Sequence, residues 1–323
     1  MIPAAAERVE VLVLVDNAVD MLSRLPPFVQ GERQLLRRFG MQRMSGAAIC
    51  CAAHGLALLI TAHGPGGPRR LLFDGGPAEW AIARNIARLG IEVAGIEAMV
   101  LSHGHWDHAG GLPEVLRQRR AAGCGPLPLY LHPGMFRERG SRQPDGGVLP
   151  MERVPEPAAW AGMGAIPVVT REAALLLDDL FYVSGEIPRR SGFERGLPGQ
   201  VARAGEDAPW EPDELLMDER FLAVRLAGRG IVVFSACSHA GIVNVLQAAR
   251  EAFPGEPLHA VIGGLHLSGE NEAIIPETVA AMGPYAPRLI IPAHCTGWRA
   301  VQALTAAYGE RVVPAAVGRL FTL

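Results

Sequence analysis

Apolar residues recur along the chain at two spacings, and each spacing predicts its own kind of element. Val9 to Val15 is a β-rich run that ends at Asp16-Asn17, a first strand and its turn. Met21 to Met44 is mixed, and Pro26-Pro27 breaks any long helix, so this stretch reads as a surface excursion over a sheet. Gly55 to Thr61 and Leu71 to Phe73 predict two strands around a turn at Gly64 to Pro68, and Asp74-Gly75-Gly76 ends the second sharply. Ala78 to Leu89 sets Trp80, Ile82, Ile86 and Leu89 at helical spacing and stops at Gly90. Met99 to Leu101 predicts a short strand that runs into a polar segment, followed by a helix over Leu112 to Arg119 and a strand over Leu127 to Leu131. Strand, polar loop, helix, strand is the order of an α/β protein.

The stretch from His132 to Met217 is looser and rich in Pro, Gly and Arg, with short strands expected at Ile166 to Val169 and Leu180 to Ser184. Irregular stretches of this length in a compact domain tend to be functional, which makes a lid over about residues 133–217 the expectation. Regularity returns with Phe221 to Leu226 and Ile231 to Ser235, which pair as a hairpin across Gly228-Arg229-Gly230. A helix over Ile242 to Ala252, strands at His259 to Ile262 and Leu289 to Ile291, a helix over Trp298 to Tyr308 and a last strand over Val317 to Leu323 complete the pattern. Both halves run from a β-meander into βαβ units. The expected fold is therefore α/β: a four-layer αββα sandwich, one domain over residues 1–323 with the inserted lid.

Composition narrows the function. With 49% hydrophobic and 20% charged residues the chain is globular, and a net charge of -3 without a basic stripe leaves nucleic-acid binding without electrostatic support. The apolar run Val11 to Val15 is far shorter than the ~20 residues of a membrane span. The start lacks the features of a secretory signal. Five cysteines, Cys50, Cys51, Cys124, Cys237 and Cys295, form no Cys-x-x-Cys pair, so neither a disulfide framework nor a structural zinc clip is expected. A reduced, cytoplasmic setting fits best, with a small-molecule substrate; homo-oligomerisation is left open.

The chemistry concentrates at His103-x-His105-x-Asp107-His108, where four metal-capable side chains fall within six positions just after a strand. At period two His103 and His105 can point the same way, while Asp107 and His108 lie one step further and can reach a second ion. Imidazoles and a carboxylate suit zinc, with iron or manganese next. Two ions ~3.5–4 Å apart can share a hydroxide, a strong nucleophile at neutral pH, whose proton Asp107 is placed to steer. A lone His-x-His is most often a solvated turn; four ligand types in this order, followed by Gly110-Gly111, are harder to dismiss.

The string from Ser102 to Gly111 resembles the signature of the metallo-β-lactamase superfamily, and Phe73-Asp74-Gly75-Gly76 is similar to that superfamily's upstream strand-end motif. That resemblance implies that Asp74 orients a ligand histidine. Three later strings, Cys237-Ser238-His239-Ala240-Gly241, Gly263-Gly264-Leu265-His266-Leu267 and His294-Cys295-Thr296-Gly297, each follow a strand. In that order they resemble the dihydropterin–ribofuranosylaminobenzene-phosphate synthase-like branch, whose substrate loop Tyr182 to Arg189 also resembles.

Carried over, the resemblance implies two divalent metal ions, one held by His103, His105 and His239, the other by Asp107, His108 and His294. Cys237 is the alternative to His239, since a thiolate binds zinc well. His266 is left as a general acid, a substrate ligand or a hydrogen-bonded supporting residue. Glu186, Arg189 and Arg190 of the lid, with Arg195 beside them, and Asn17 after the first strand are the candidate substrate contacts; a guanidinium pair would grip a phosphate. His54, His63, His132 and His259 lack such context.

The expected function is a dinuclear metal-dependent hydrolase using a metal-bound hydroxide on a small, phosphorylated or pterin-like substrate. The alternative is a single-metal binding or sensing protein of the same fold with little turnover. A secreted lactamase lacks its export signal, and a flavo-diiron oxidoreductase would carry Glu in place of His105.

Overall fold

A computed structural model describes residues 3–323; the first two positions of the expected domain lie outside the description. Period-two alternation sets the layers. Along Arg8–Val15, Val9, Val11 and Val13 turn one way and join a core between two sheets, while Leu12 and Leu14 turn the other way under helices. The eight-stranded sheet runs in the order Ala165–Val169, Leu127–Leu131, Ala98–Val100, Gly67–Phe73, Ala57–Gly64, Arg8–Val15, Leu320–Thr322, Val29–Gln30. Its facing partner is seven-stranded: Ala174–Leu176, Phe181–Val183, Leu222–Leu226, Gly230–Ser235, Leu258–Gly263 and Leu289–Pro292, with Ala5–Ala6 paired to the third of these.

Phe73, Ile60 and Leu58 from one sheet meet Phe234, Val232 and Leu222 from the other in the central core. A second core lies beneath the helices Glu79–Arg88 and Leu112–Ala121, and a third beneath Ile242–Ala252, Ile275–Met282 and Trp298–Tyr308. The αββα expectation holds. Each sheet joins an antiparallel meander to a parallel half. Parallel strands are joined through crossover helices, so their carboxyl ends collect at one edge of the molecule, where α/β proteins place their sites.

Three expectations need correction. The excursion after Pro26-Pro27 carries a helix at Glu32–Arg38, which begins beyond the prolines and buries Leu35 and Leu36. The final strand is shorter than expected, Leu320–Thr322 alone. The stretch 133–217 is not a loose lid throughout, because its own hydrogen bonds and apolar residues are claimed by three structures. Ala165–Val169 is an edge strand of the first sheet, and Ala174–Leu176 with Phe181–Val183 is the edge of the second. The remainder holds a helix at Pro157–Met163 and a small antiparallel sheet of Glu211–Pro212, Gln200–Arg203, Glu138–Arg142 and Val148–Pro150. Among the described residues no helix is long and apolar enough to cross a membrane, and all five cysteines are free thiols.

Candidate metal centre

The carboxyl ends of the parallel strands deliver the candidate ligands. After Gly67–Phe73 comes Asp74, after Ala98–Val100 the segment Ser102 to His108, and after three strands of the second sheet Cys237, His266 and His294. Four residues at these turns, Asp74, Ser238, His266 and His294, hold φ of 60°, 58°, 42° and 46° without being glycine. Such conformations cost of order 1–3 kcal/mol each and persist only where the surroundings enforce them.

Asp74 is fully buried and oriented on three donors. Its Oδ1 accepts from the Ser102 N–H at 2.7 Å, and its Oδ2 accepts from the Ser102 hydroxyl at 2.8 Å and from His108 Nδ1 at 2.7 Å. With the hydroxyl committed to Asp74, His103 Nδ1 donates to Ser102 Oγ at 2.8 Å, which leaves the lone pair of His103 on Nε2. His103 Nε2 lies 3.0 Å from His105 Nδ1. On the far side of His105, Nε2 stands 3.2 Å from the Gln200 amide nitrogen, while Gln200 Oε1 has no partner. The reverse amide orientation lets Gln200 Oε1 accept from His105 Nε2 and leaves the His105 lone pair on Nδ1, facing His103.

His239 closes this group. Its ring centroid is 4.8 Å from that of His103 and 4.9 Å from that of His105, and neither of its nitrogens has a hydrogen-bond partner among the described residues. The three histidines offer ring nitrogens within 4.8 Å of one another. Burial, helped by the neighbouring imidazoles and by Arg139, holds His103 and His239 well below the ordinary histidine value. Burial together with Arg139 also brings His105 down to about 3. All three are thus neutral and carry free lone pairs, which is what a metal requires. An orphaned, buried imidazole between two others is the observation that a divalent ion fits here.

The second group converges on Asp107. Its Oδ2 lies 3.3 Å from His294 Nε2, 3.5 Å from His54 Nε2 and 3.8 Å from His108 Nε2. Against the opposing effect of burial, His108, His294 and His105 hold the Asp107 carboxyl well below its ordinary range. Against the same effect, Asp107 and Asp74 lift His108 to about 9. His108 Nε2 also meets Cys237 Sγ at 3.2 Å, so Cys237 stands between the two groups.

Backbone clamps fix the ligand segments. The Glu219 carboxylate accepts from His239 N–H at 2.9 Å and Ala240 N–H at 2.6 Å, and Asp16 accepts from His294 N–H at 2.7 Å. Gly104, between His103 and His105, gives its N–H to Asp218 and accepts at its carbonyl from Arg139, 2.8 and 3.0 Å away. Arg139 and Asp218 are themselves a buried ion pair, 2.7 Å apart. A Cβ at Gly104 would lie 2.4 Å from that guanidinium, so only glycine fits the clamp.

A cavity of about 410 Å³ opens onto both groups, walled by Trp106, Met151, Leu197 and Ser268 as well as by His54, His105, Asp107, His239, His266 and His294. The structure therefore brings together His103, His105, Asp107, His108, His239, His294 and His266, with Asp74 behind His108. Asn17 also lines the cavity, but its side chain serves His294: its Oδ1 takes His294 Nδ1 at 2.9 Å and its Nδ2 gives to the His294 carbonyl at 3.2 Å.

Glu186, Arg189 and Arg190 are not brought to the cavity. Glu186 pairs with His132 and Arg171, Arg189 is drawn onto the carbonyls of Ile187, Leu215 and Leu216, and Arg190 pairs with Glu251 on a helix face. Their charges are satisfied elsewhere. The sequence reading set His54 aside and passed over Cys295, Gln200 and Glu219. A strand-end position signals Cys295, whereas nothing local marks Gln200, which reaches His105 across 95 residues.

These features agree with the comparisons. The family model of the metallo-beta-lactamase superfamily matches residues 57–227, just over half of the 323, and the chain belongs to that superfamily. It is 29% identical over 250 residues to the 7,8-dihydropterin-6-methyl-4-(beta-D-ribofuranosyl)-aminobenzene-5'-phosphate synthase of Methanocaldococcus jannaschii, covering 76% of this chain and 82% of that one. An uncharacterized protein of the same organism is 28% identical over 254 residues, covering 79% and 88%. Among solved structures, a metal-dependent hydrolase of the beta-lactamase superfamily superposes with a TM-score of 0.70 at 21% identity, covering 98% of each chain. The metallo-beta-lactamase fold protein YhfI from Bacillus subtilis follows at 0.52 and 11%, covering 98% and 99%.

Proposed function

We propose that this protein is a metal-dependent enzyme with a dinuclear centre, acting on a small substrate that carries a phosphate or a pterin-like ring. The observation that carries the reading is the orphaned His239 imidazole, closing a neutral three-histidine group beside an ionised Asp107 at the floor of one cavity. His103, His105 and His239 would hold one ion; Asp107, His108 and His294 would hold the other, with Cys237 between them. Bound divalent ions supply Lewis acidity and make a coordinated water acidic enough to ionise near neutral pH.

The chain's own residues do the rest. Asp74 and Asn17 aim the lone pairs of His108 and His294 inward by taking their Nδ1 protons. Asp107 stays ionised to accept a proton at Oδ2. Trp106, with the half-exposed His54 6.1 Å from it, offers a flat aromatic wall at the mouth, suited to a heterocycle. His266 also lines the cavity and can donate to a leaving group.

Hydrolysis is the reaction class this donor set supports, and the synthase name of the Methanocaldococcus relative makes a pterin-related condensation the first alternative chemistry to assay. The function is tested by metal content, measured by plasma mass spectrometry on untagged wild type and His108→Ala, followed by a screen of phosphoesters, lactones and pterin-type compounds. Two ions per chain, falling toward one in the variant, with turnover of one substrate class, is the expected result. One ion in both proteins and no turnover would replace this reading with a single-metal binding protein, which the hydrogen bond between His108 and Cys237 favours.

A further inference from the structure

We propose that Cys237, Cys295 and His266 form a third, sulfur-rich site for a soft divalent cation of the zinc class, sharing Cys237 with the histidine centre. The proposal goes beyond the two-ion reading and can fail separately from it.

Three adjacent parallel strands, Gly230–Ser235, Leu258–Gly263 and Leu289–Pro292, each deliver one donor at the carboxyl end. The donor atoms of the three residues lie within 4.8 Å of one another, and the two sulfurs are 3.3 Å apart. On a tetrahedral ion with metal–sulfur bonds of ~2.3 Å two thiolates stand roughly 3.7 Å apart, a shift that small side-chain rotations supply. All three residues line the cavity, so an ion has an entry path.

Two further observations point to a ligand. His266 offers a ring nitrogen within 4.8 Å of both sulfurs, its Nδ1 is buried without a hydrogen-bond partner among the described residues, and its backbone holds a left-handed φ of 42°. Buried imidazole nitrogens are normally satisfied, and an orphan held by a strained backbone calls for a missing partner. Gly264 supplies the space: a Cβ there would lie 2.6 Å from Cys295 Sγ and 2.4 Å from the Ala236 carbonyl. A pair of cysteines serving only as small apolar residues would face other apolar groups. These two face a histidine, each other and a polar cavity. Two thiolates and a neutral imidazole balance the charge of a divalent ion, and softness selects thiolate-loving metals over magnesium or calcium.

The test uses the full chain, stripped by chelation, kept reduced and free of oxygen, and titrated with Co²⁺ as the probe. Wild type is expected to develop a near-ultraviolet thiolate-to-cobalt band and to bind one equivalent more than Cys295→Ser or His266→Ala. Both variants should lose most of that band. His105→Ala should lose a different equivalent and keep the band. Unchanged stoichiometry and band in both Cys295→Ser and His266→Ala would overturn the third site, leaving any sulfur signal to Cys237 in the histidine centre. If instead His105→Ala keeps full stoichiometry while Cys295→Ser drops it, the two-ion reading falls and the sulfur site stands. Circular dichroism checks folding. Should Cys295→Ser fail to fold, His266→Ala, which truncates a side chain on the cavity wall, decides by the same two readouts.

Discussion

On the eight-stranded sheet, four candidate ligands come from one stretch, His103 to His108; Asp74, at the end of the neighbouring strand and 34 residues before His108, meets His108 directly and His103 through Ser102. On the seven-stranded sheet, His239, His266 and His294 arrive singly from three strand ends, and the backbone of His294 is held by Asp16, 278 residues away. The first half takes one support from the neighbouring strand, while Gly104 and His105 also meet Asp218 and Gln200, 114 and 95 residues away. In the second, Glu219 holds His239 from only 20 residues away, whereas His294 is held by Asp16 and Asn17 of the opposite sheet and is placed only once the two sheets have closed on each other. Ordering distant chain segments carries the larger loop-closure entropy. A centre built this way ties ligand geometry to completion of the fold.

Four substitutions can break or sharpen that contrast. Asp74→Ala should have the largest effect. It strands the Ser102 N–H, the Ser102 hydroxyl and His108 in a fully buried position, at a cost of about 3–5 kcal/mol. Urea unfolding measures it, and a loss under ~1 kcal/mol would mean the first half does not depend on this residue.

Next comes Glu194→Gln. Glu194 accepts from the Val243 and Asn244 N–H groups at the start of Ile242–Ala252, and burial pushes its carboxyl up to about 7 from 4.5. Because the folded value is raised, the folded chain holds a proton that the unfolded chain has released. The stability this contributes is full below the unfolded value and lost as pH rises through about 7, a change on the order of 3 kcal/mol. Stability against pH between 4 and 8 should show that decline in wild type and a flatter profile in the variant; parallel profiles would refute the assignment.

Glu219→Gln should cost about 1–3 kcal/mol by weakening the acceptor of two buried N–H groups. It should also weaken, by about 10–100-fold, the affinity of the ion proposed at His103, His105 and His239. An unchanged metal titration would show that His239 is positioned by its strand alone. Asn17→Ala should be mildest: less than ~1 kcal/mol in stability, since the residue is exposed, and about 10-fold in affinity for the ion at His294. Equal effects at both proposed ion positions would argue against two separable halves.

The same contrast explains what could be read in advance. Alternating apolar residues gave the strands Arg8–Val15 and Leu222–Leu226, helical spacing gave Ile242–Ala252 and Trp298–Tyr308, and the contiguous histidines stood out without any structure. Local pattern suffices where the determining contacts are local. Glu32–Arg38 is not legible because Pro26-Pro27 precede it and only Leu35 and Leu36 mark its apolar face. Arg189 and Arg190 looked like a phosphate grip because charge is visible in sequence and its partners are not: backbone carbonyls for one, Glu251 for the other. His54 was set aside for the opposite reason, since nothing near it in sequence reveals that Asp107 and His294 lie beside it.

The Arg139–Asp218 pair has a consequence for remodelling this protein. Arg139 sits on the small sheet and Asp218 just beyond that stretch, yet together they hold both peptide groups of the glycine between His103 and His105. The stretch 133–217 is thus a mechanical support of the turn that carries His103 and His105. A chimera that swaps residues 133–217 for another loop must carry over an arginine at that position, or Gly104 and Asp218 lose their buried partner.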